Sequence, residues 1–469
     1  FKQKTAYEIR NCDWSSDVCS SDLPAEVTSL AMSLDAPGPS SAVASPAFRR
    51  YLAAIVLGTL AIQIQNVAAA WQVFRLTKDS GANAALALGA IGLAEVIPFV
   101  AAVLFAGHVA DTRNRRSIAL GALTALTAFG AFLFLPEFLD ARWAQLTVIY
   151  AVIVMGGLAR SFLTTPRQAL IAEILPRELI PGGVRWRNTL FELACVIGPG
   201  LAGLMVWLGE RAGSAHPENV AYVAMSACFL GSWAFTFALR PSQALQTRKP
   251  EPVFASLRQG IDFMLGQRVM LGAFTMDLFA VLLGGAVALL PIFADMLQVG
   301  AFGFGLLRAA SSIGAVLMSL YLIVRPPLSR AGPVLYGSFA VFGLSTIGFG
   351  LSLALSSALG LGLGAAFVLS FVFLLIGGAA DAVNVIIRQT ILQTSVPPEM
   401  MGRVSAVTAV FIGCSNELGM AESGLAARLM GTVNSVVFGG LATFAVMGLT
   451  HWGFPEIWKL RRVGQEPAA

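Results

Sequence analysis

The feature that most constrains this chain is a recurrence of apolar runs, from about residue 50 to residue 452, each long enough to cross a bilayer. A helix needs ~20 apolar residues to span the hydrocarbon core. Twelve such runs are readable, at about 50–73, 84–106, 117–135, 144–165, 188–208, 220–239, 269–293, 303–324, 333–354, 359–386, 404–425 and 432–452. Only 12% of residues are charged and 56% are hydrophobic. A soluble domain carries ~25% charge, so a soluble core is excluded. Inside lipid every backbone N–H and C=O must find its partner within the chain, and a helix does this segment by segment. The expected fold class is therefore all-α integral membrane, with twelve transmembrane helices.

Basic residues give the chain its sidedness. With the N-terminus inside, twenty-one lysines and arginines fall in cytoplasmic segments and five in outward loops. Cytoplasmic loops carry the excess of Lys and Arg, so both termini are expected in the cytoplasm. The net charge of +5 reflects this bias and implies no nucleic-acid partner. Cys195, Cys228 and Cys414 lie in apolar runs, where a thiol is a small hydrophobe. They show no metal spacing with His108, His216 or His451, and no nucleotide-binding loop of the GxxxxGK[ST] type occurs, so neither metal nor cofactor is expected.

Residues 1–46 are expected to form a tail outside the fold. Positions 1–23, FKQKTAYEIRNCDWSSDVCSSDL, resemble a translated sequencing adapter, and Met32 is the expected native start. The Pro/Ser/Ala-rich stretch that follows has too little apolar surface to fold. The remaining chain divides into a six-helix half at 47–240, a linker at 241–268, a second half at 269–455 and a tail at 456–469. Within the linker, FASLRQGIDFML repeats its apolar residues at helical spacing and is expected to lie as an amphipathic helix on the membrane face.

An internal repeat relates the halves. Arg167, Gln168, Pro176 and Glu178 map onto Arg388, Gln389, Pro397 and Glu399 at an offset of 221 residues. The same offset carries Gly156-Gly157 onto Gly377-Gly378, Gly198 onto Gly419 and Gly203 onto Gly424. Between the second and third runs stands Gly107-His-Val-Ala-Asp111-Thr112-Arg113-Asn114-Arg115-Arg116, a tight basic turn.

That turn and the parallel repeat resemble the major facilitator superfamily, with the resemblance covering residues 48–455. Thr112 and Asn114 depart from the family's basic residue and glycine; Asn tolerates a left-handed backbone, so the turn is expected to survive. PPEMMGRV and IGPGLAG look like the branch of enterobactin and macrolide exporters. The resemblance implies two pseudo-symmetric six-helix halves with substrate between them. It makes Gly107, Asp111, Arg113, Arg115 and Arg116 a conformational-switch loop, with Asp111 docking near Arg403 and Val404. Gly198, Pro199 and Gly203 resemble an exporter-type kink; a plain packing kink is the alternative, since Pro199 removes a helix hydrogen bond and glycines allow close approach.

Ionisable groups within the runs are costly unless paired or hydrated, which marks them as candidates. They are Glu95, Arg160, Glu192, Asp277, Arg308, Asp381, Glu417 and Glu422. Glu95 and Asp277 lie deep and are candidate proton or substrate groups, with a satisfied structural pair as the alternative; Arg308 is a candidate partner for Asp277. Gln63, Gln65 and Asn66 either face the cavity or bond a neighbouring helix. Arg160 and Asp381 map onto each other by the repeat and form a candidate gate pair; Glu192 is the alternative partner for Arg160. Trp71, Trp233 and the phenylalanines are candidates for an apolar lining.

The resulting expectation is a secondary transporter of the cell's inner membrane, monomeric, exporting amphiphilic drug- or siderophore-like molecules against protons by alternating access. An importer or uniporter is the alternative. A lipid-modifying membrane enzyme is a further one, but it needs a nucleophile–base or metal constellation that the sequence lacks.

Overall fold

The computed structural model describes residues 40–239, 253–324 and 330–460. The expectations on the foreign leader and on Met32 lie outside these residues. Among them, twelve helices are long and apolar enough to cross a membrane. They are α1 (Pro46–Thr77), α2 (Ala82–Thr112), α3 (Arg115–Ala131), α4 (Arg142–Ile174), α5 (Ile180–Arg211) and α6 (Glu218–Phe237) in the first half. The second half holds α7 (Arg268–Gly284, continued by Leu290–Met296), α8 (Gly300–Ile323), α9 (Ala331–Gly350), α10 (Leu363–Ser395), α11 (Pro398–Met430) and α12 (Thr432–Gly453). A linker helix, Val253–Gly266, separates the halves, as its apolar spacing predicts.

Because the spans alternate, the start of α1 and the end of α12 lie at one face, called here the terminal face; the other is the far face. The two faces turn the chain differently. Gly81, Gly213, Gly300, Gly360 and Gly431 all have positive φ, and all lie in far-face connections. A residue without Cβ takes that conformation freely, so the chain reverses there within a few residues. The terminal face carries most of the basic residues, and two helices that start there, α1 and α3, have side-chain caps. Ser45 accepts from Phe48 N at 3.4 Å ahead of Pro46, and Asn114 accepts from Ser117 N at 3.2 Å. Asn114 itself is extended, at φ −63° and ψ 113°. The turn thus survives because Asn114 caps α3; no left-handed residue is needed.

Two expected boundaries move outward. Helix Ser40–Ala44 precedes α1, and Ala42 is buried against the first half, so the tail is folded from residue 40. At the other end Ile457 and Leu460 are buried, and Gly332 N donates to Leu460 O at 2.9 Å, so the segment after 455 packs against α9. The linker helix rests on the start of α11, where a Cβ on Gly260 would meet Arg403 O at 2.9 Å.

Apolar packing is arranged in three cores. One contains Leu88, Ile149 and Tyr222 of the first half together with Phe293, Phe304, Phe349 and Val436 of the second, all toward the far face. A second gathers Phe48, Tyr51, Leu170, Leu175 and Leu239, all of the first half at the terminal face. The third gathers Met270, Leu335, Ile387, Leu392 and Val404, all of the second half at that same face. The halves therefore share one core on the far side and keep separate cores on the terminal side. A cleft between six-helix halves, sealed at one end, is the geometry that results.

Candidate functional site

The seal consists of two crossings, α5 on α8 and α2 on α11. Each is built on glycine, because without Cβ two helix backbones can touch. A Cβ on Gly203 would lie 2.6 Å from Ala301 O and 3.0 Å from Gly305 Cα. At the other crossing, a Cβ on Gly424 would lie 2.6 Å from Ala85 O and 2.8 Å from Gly89 Cα. The repeat relates Gly203 to Gly424 at 221 residues, yet Ala301 and Gly305 follow Ala85 and Gly89 at 216. Helices α2 and α8 are thus symmetry mates at a shorter offset, which one fixed offset conceals. Gly157 and Gly378 confirm it: each abuts a carbonyl oxygen, of Glu95 and of Ser311 respectively, at the same 216 spacing. Pro199 lies within the first crossing, its carbonyl 2.5 Å from a Cβ on Gly305, while Gly198 receives Gln63 of α1.

Just inside the seal, charges gather from both halves. Arg160 of α4 forms an ion pair with Glu95 of α2, and its second Nη donates to Asn66 Oδ1 of α1 at 3.0 Å. Arg308 of α8 stands within electrostatic reach of Glu417 on α11 and of Glu95. Glu417 in turn feels Glu95, Arg160 and Arg308. Four formal charges, two of each sign, thus surround the junction of the halves. Their symmetry mates are Ser311 for Glu95, Asp381 for Arg160, Gly92 for Arg308 and Val196 for Glu417. No mate carries a charge of the same sign, and only Arg160 has a charged mate at all, so this cluster does not arise from the duplicated scaffold.

A second cluster lies deeper in the second half. Arg388 Nη1 donates to Asp277 Oδ2 at 2.5 Å with both side chains 5% exposed. The guanidinium also lies over the Phe274 ring, 5.6 Å from its centroid. Asp381 is within electrostatic reach of this pair. Asp277 therefore pairs with Arg388 of α10, not with Arg308 as the sequence reading has it. Arg388 lies just past the apolar run, which ends near residue 386, yet it is inside the helix, because α10 continues to Ser395. Its mate Arg167 finds neutral partners: Ser232 Oγ at 2.7 Å and Ala54 O at 3.2 Å.

The other candidates fall as follows. Arg160 meets neither Asp381 nor Glu192 in this state; Glu192 is exposed on α5. Of the polar run on α1, Asn66 bonds Arg160 and Gln65 is buried with Oε1 unpartnered. Trp71 stacks on Phe304 at 5.8 Å inside the shared core, and Trp233 stacks on Phe237 while bonding Thr124. Trp71 is buried in that core in this state, whereas Trp233 keeps part of its surface exposed. In the turn after α2, Arg115 pairs with Glu173 of α4 at 3.0 Å, and Arg116 donates to the last carbonyls of α6, Thr236 O and Phe237 O. Arg113 is exposed; the surroundings of Gly107 and the side chain of Asp111 lie outside those described. A cation on the carbonyls that end a helix is favourable both for their hydrogen bonds and for the helix dipole.

A two-half helical membrane transporter with a polar junction between its halves is the class that this fold and site define. The profile of the Major Facilitator Superfamily matches residues 51–420, and the chain belongs to that superfamily. It is 26% identical to the enterobactin exporter EntS of Shigella flexneri over 434 residues, covering 90% of this chain and 94% of that protein. The EntS of Escherichia coli O139:H28 is 25% identical over 439 residues, with the same coverage. Among solved structures, a D-xylose–proton symporter superposes with a TM-score of 0.67 at 14% identity, over 91% of this chain and 100% of that one. A bacterial homologue of the iron transporter ferroportin gives 0.61 at 13% identity, over 88% and 99%.

Proposed function

We propose that the protein is an exporter that moves amphiphilic small molecules, drug- or siderophore-like, out of the cell in exchange for protons. The observation that carries this reading is similarity to enterobactin exporters along 90% of the chain. The charge bias supports a cytoplasmic terminal face, and with it an inner-membrane protein whose cleft opens inward and is shut outward by the glycine crossings. Substrate enters from the cytoplasm, and a monomer suffices because the cleft lies between halves of one chain.

Alternating access then requires the glycine crossings to part and the terminal ends to close. Arg160 and Asp381, mates at position 221 apart, approach each other in that second state, so Arg160 exchanges Glu95 for Asp381. The loop 107–116, already tied by Arg115 and Arg116 to α4 and α6, acts as the switch that follows this movement.

Inverted membrane vesicles test the reading. With an imposed inside-acid gradient, vesicles containing the protein are expected to accumulate an amphiphilic dye or a tricatecholate, and collapse of the gradient is expected to abolish uptake. Accumulation that ignores the gradient, or loss of preloaded probe driven by it, would overturn proton-coupled export.

A further inference from the structure

The candidate carboxylates of the spans differ in one respect, whether an arginine holds them. Glu95 is held by Arg160, and Asp277 by Arg388. Protonating either would leave a buried guanidinium without its counter-charge, which strongly disfavours the change. Glu192, Asp381, Glu417 and Glu422 have no such ion pair. Glu192 is exposed, Asp381 lies beside the Arg388–Asp277 pair within the second half, and Glu422 lies toward the far end of α11, so Glu417 is the one that stands in the cluster between the halves. Among the described residues it makes no hydrogen bond or ion pair, and its Oε2 is shut off from solvent. It stands on α11 where that helix crosses α2 so closely that a Cβ on Gly92 would come within 2.3 Å of the Glu417 carbonyl oxygen. The charges acting on it come from three other helices: Glu95 of α2, Arg160 of α4 and Arg308 of α8. The other charges on helices packed against α11 are Arg268, Asp277 and Asp295 of α7, His451 of α12, and Arg258 and Asp262 of the linker helix, and α11 itself carries Arg403, Glu422 and Arg428.

We propose that Glu417 is the group that carries the transported proton, with Arg308 and Arg160 as the counter-charges its ionised form attracts. With Glu417 ionised the four charges balance; with one proton added the cluster carries a single positive charge. The proton arrives from solvent when the far face is open, sits on a carboxylate oxygen, and leaves through the terminal-face cleft. Only that O–H bond forms and breaks. Ionised Glu417 is drawn to Arg160 of the opposite half, and this attraction holds the far-face crossings shut until substrate is bound. The proposal rests on the proton-coupled reading above and names the site where coupling occurs.

The state equilibrium can be read without knowing the substrate. Spin labels at Gln168→Cys and Gln389→Cys, both exposed near the terminal ends of α4 and α10, report the opening of the cleft once the native cysteines are replaced. The wild-type background is expected to shift between two distances from acid to alkaline pH. Glu417→Gln is expected to hold the acid population throughout, and Glu417→Asp to keep the transition. A Glu417→Gln variant that is monodisperse and retains the wild-type transition overturns the proposal. A wild-type background without any transition contradicts proton coupling itself. Carbodiimide labelling of the unmutated protein gives an independent check, since the reagent adds to protonated carboxyls. Mass spectrometry should find the adduct on Glu417 in acid and its loss in alkali; an adduct confined to Glu95, Asp277 or Asp381 overturns the assignment.

Discussion

Gly203 on α5 and Gly305 on α8 meet with no side chain between them: a Cβ on either would stand 3.0 Å from the Cα of the other. Their mates, Gly424 and Gly89, repeat the contact on α11 and α2. The far-face seal thus depends on backbone contact at two symmetric places. Gly203→Ala forces a methyl group to within 2.6 Å of Ala301 O. Overpacking of this kind costs ~1–3 kcal/mol. If the cost falls on the sealed state alone, the population opens toward the far face by ~5- to 150-fold. Thiol-reagent access to a single cysteine placed in the far-face half of the cleft measures it; unchanged access would show that the crossing is not the seal.

Asp277 and Arg388 form a buried pair at 2.5 Å. Removing one partner leaves the other charge uncompensated, at ~3–5 kcal/mol. Arg388→Met is therefore expected to lower the melting temperature of the purified protein markedly. The double variant Asp277→Leu/Arg388→Met is expected to recover most of that loss. A double variant as unstable as the single one would mean that the pair is held for some role other than neutralisation.

For the proposed gate, Arg160→Asp and Asp381→Arg are each expected to impair transport, and their combination to restore part of it. Arg160→Asp also breaks the pair with Glu95, so recovery will be incomplete. Rescue by exchanging Arg160 with Glu95, and none by exchanging it with Asp381, would confine Arg160 to its own half in both states.

At the loop after α2, Asn114→Ala removes the oxygen that caps Ser117 N and is expected to cost about 1 kcal/mol, whereas Asn114→Gly costs a few tenths. Thermal unfolding distinguishes the two. Were Asn114 a strained left-handed residue, glycine would stabilise the protein instead.

Much of this fold was legible in the sequence because a bilayer imposes few solutions. The apolar runs located all twelve spans, the paired glycines of the 221 repeat located half of each crossing, and helical spacing located the linker helix. Helix ends were less legible. Hydropathy stops where the apolar face stops, but α4 and α10 run on as polar helices to Ile174 and Ser395, and this hid Arg388 inside the protein. The offset of 216 for α2 and α8 was hidden because the second half is five residues shorter than the first ahead of this crossing and regains them before α10, so one fixed offset misses it. Partner choice was least legible: Glu95, Asp277 and Glu417 look alike as isolated acids, and only the packing shows that two are paired and one is not. The aromatic candidates are ambiguous for a related reason, since an apolar ring such as Trp71 satisfies the same pattern whether it lines a cavity or fills a core.

The central claim, exchange of a proton for an exported molecule, is tested most directly by following protons. Inverted vesicles acidified inside and loaded with a quenched pH dye should show fluorescence recovery when an accepted amphiphile or tricatecholate is added, because each molecule taken up releases protons from the lumen. The recovery should require the protein and fail in Glu417→Gln. Uptake of the probe with no recovery, or with further acidification, would contradict proton antiport.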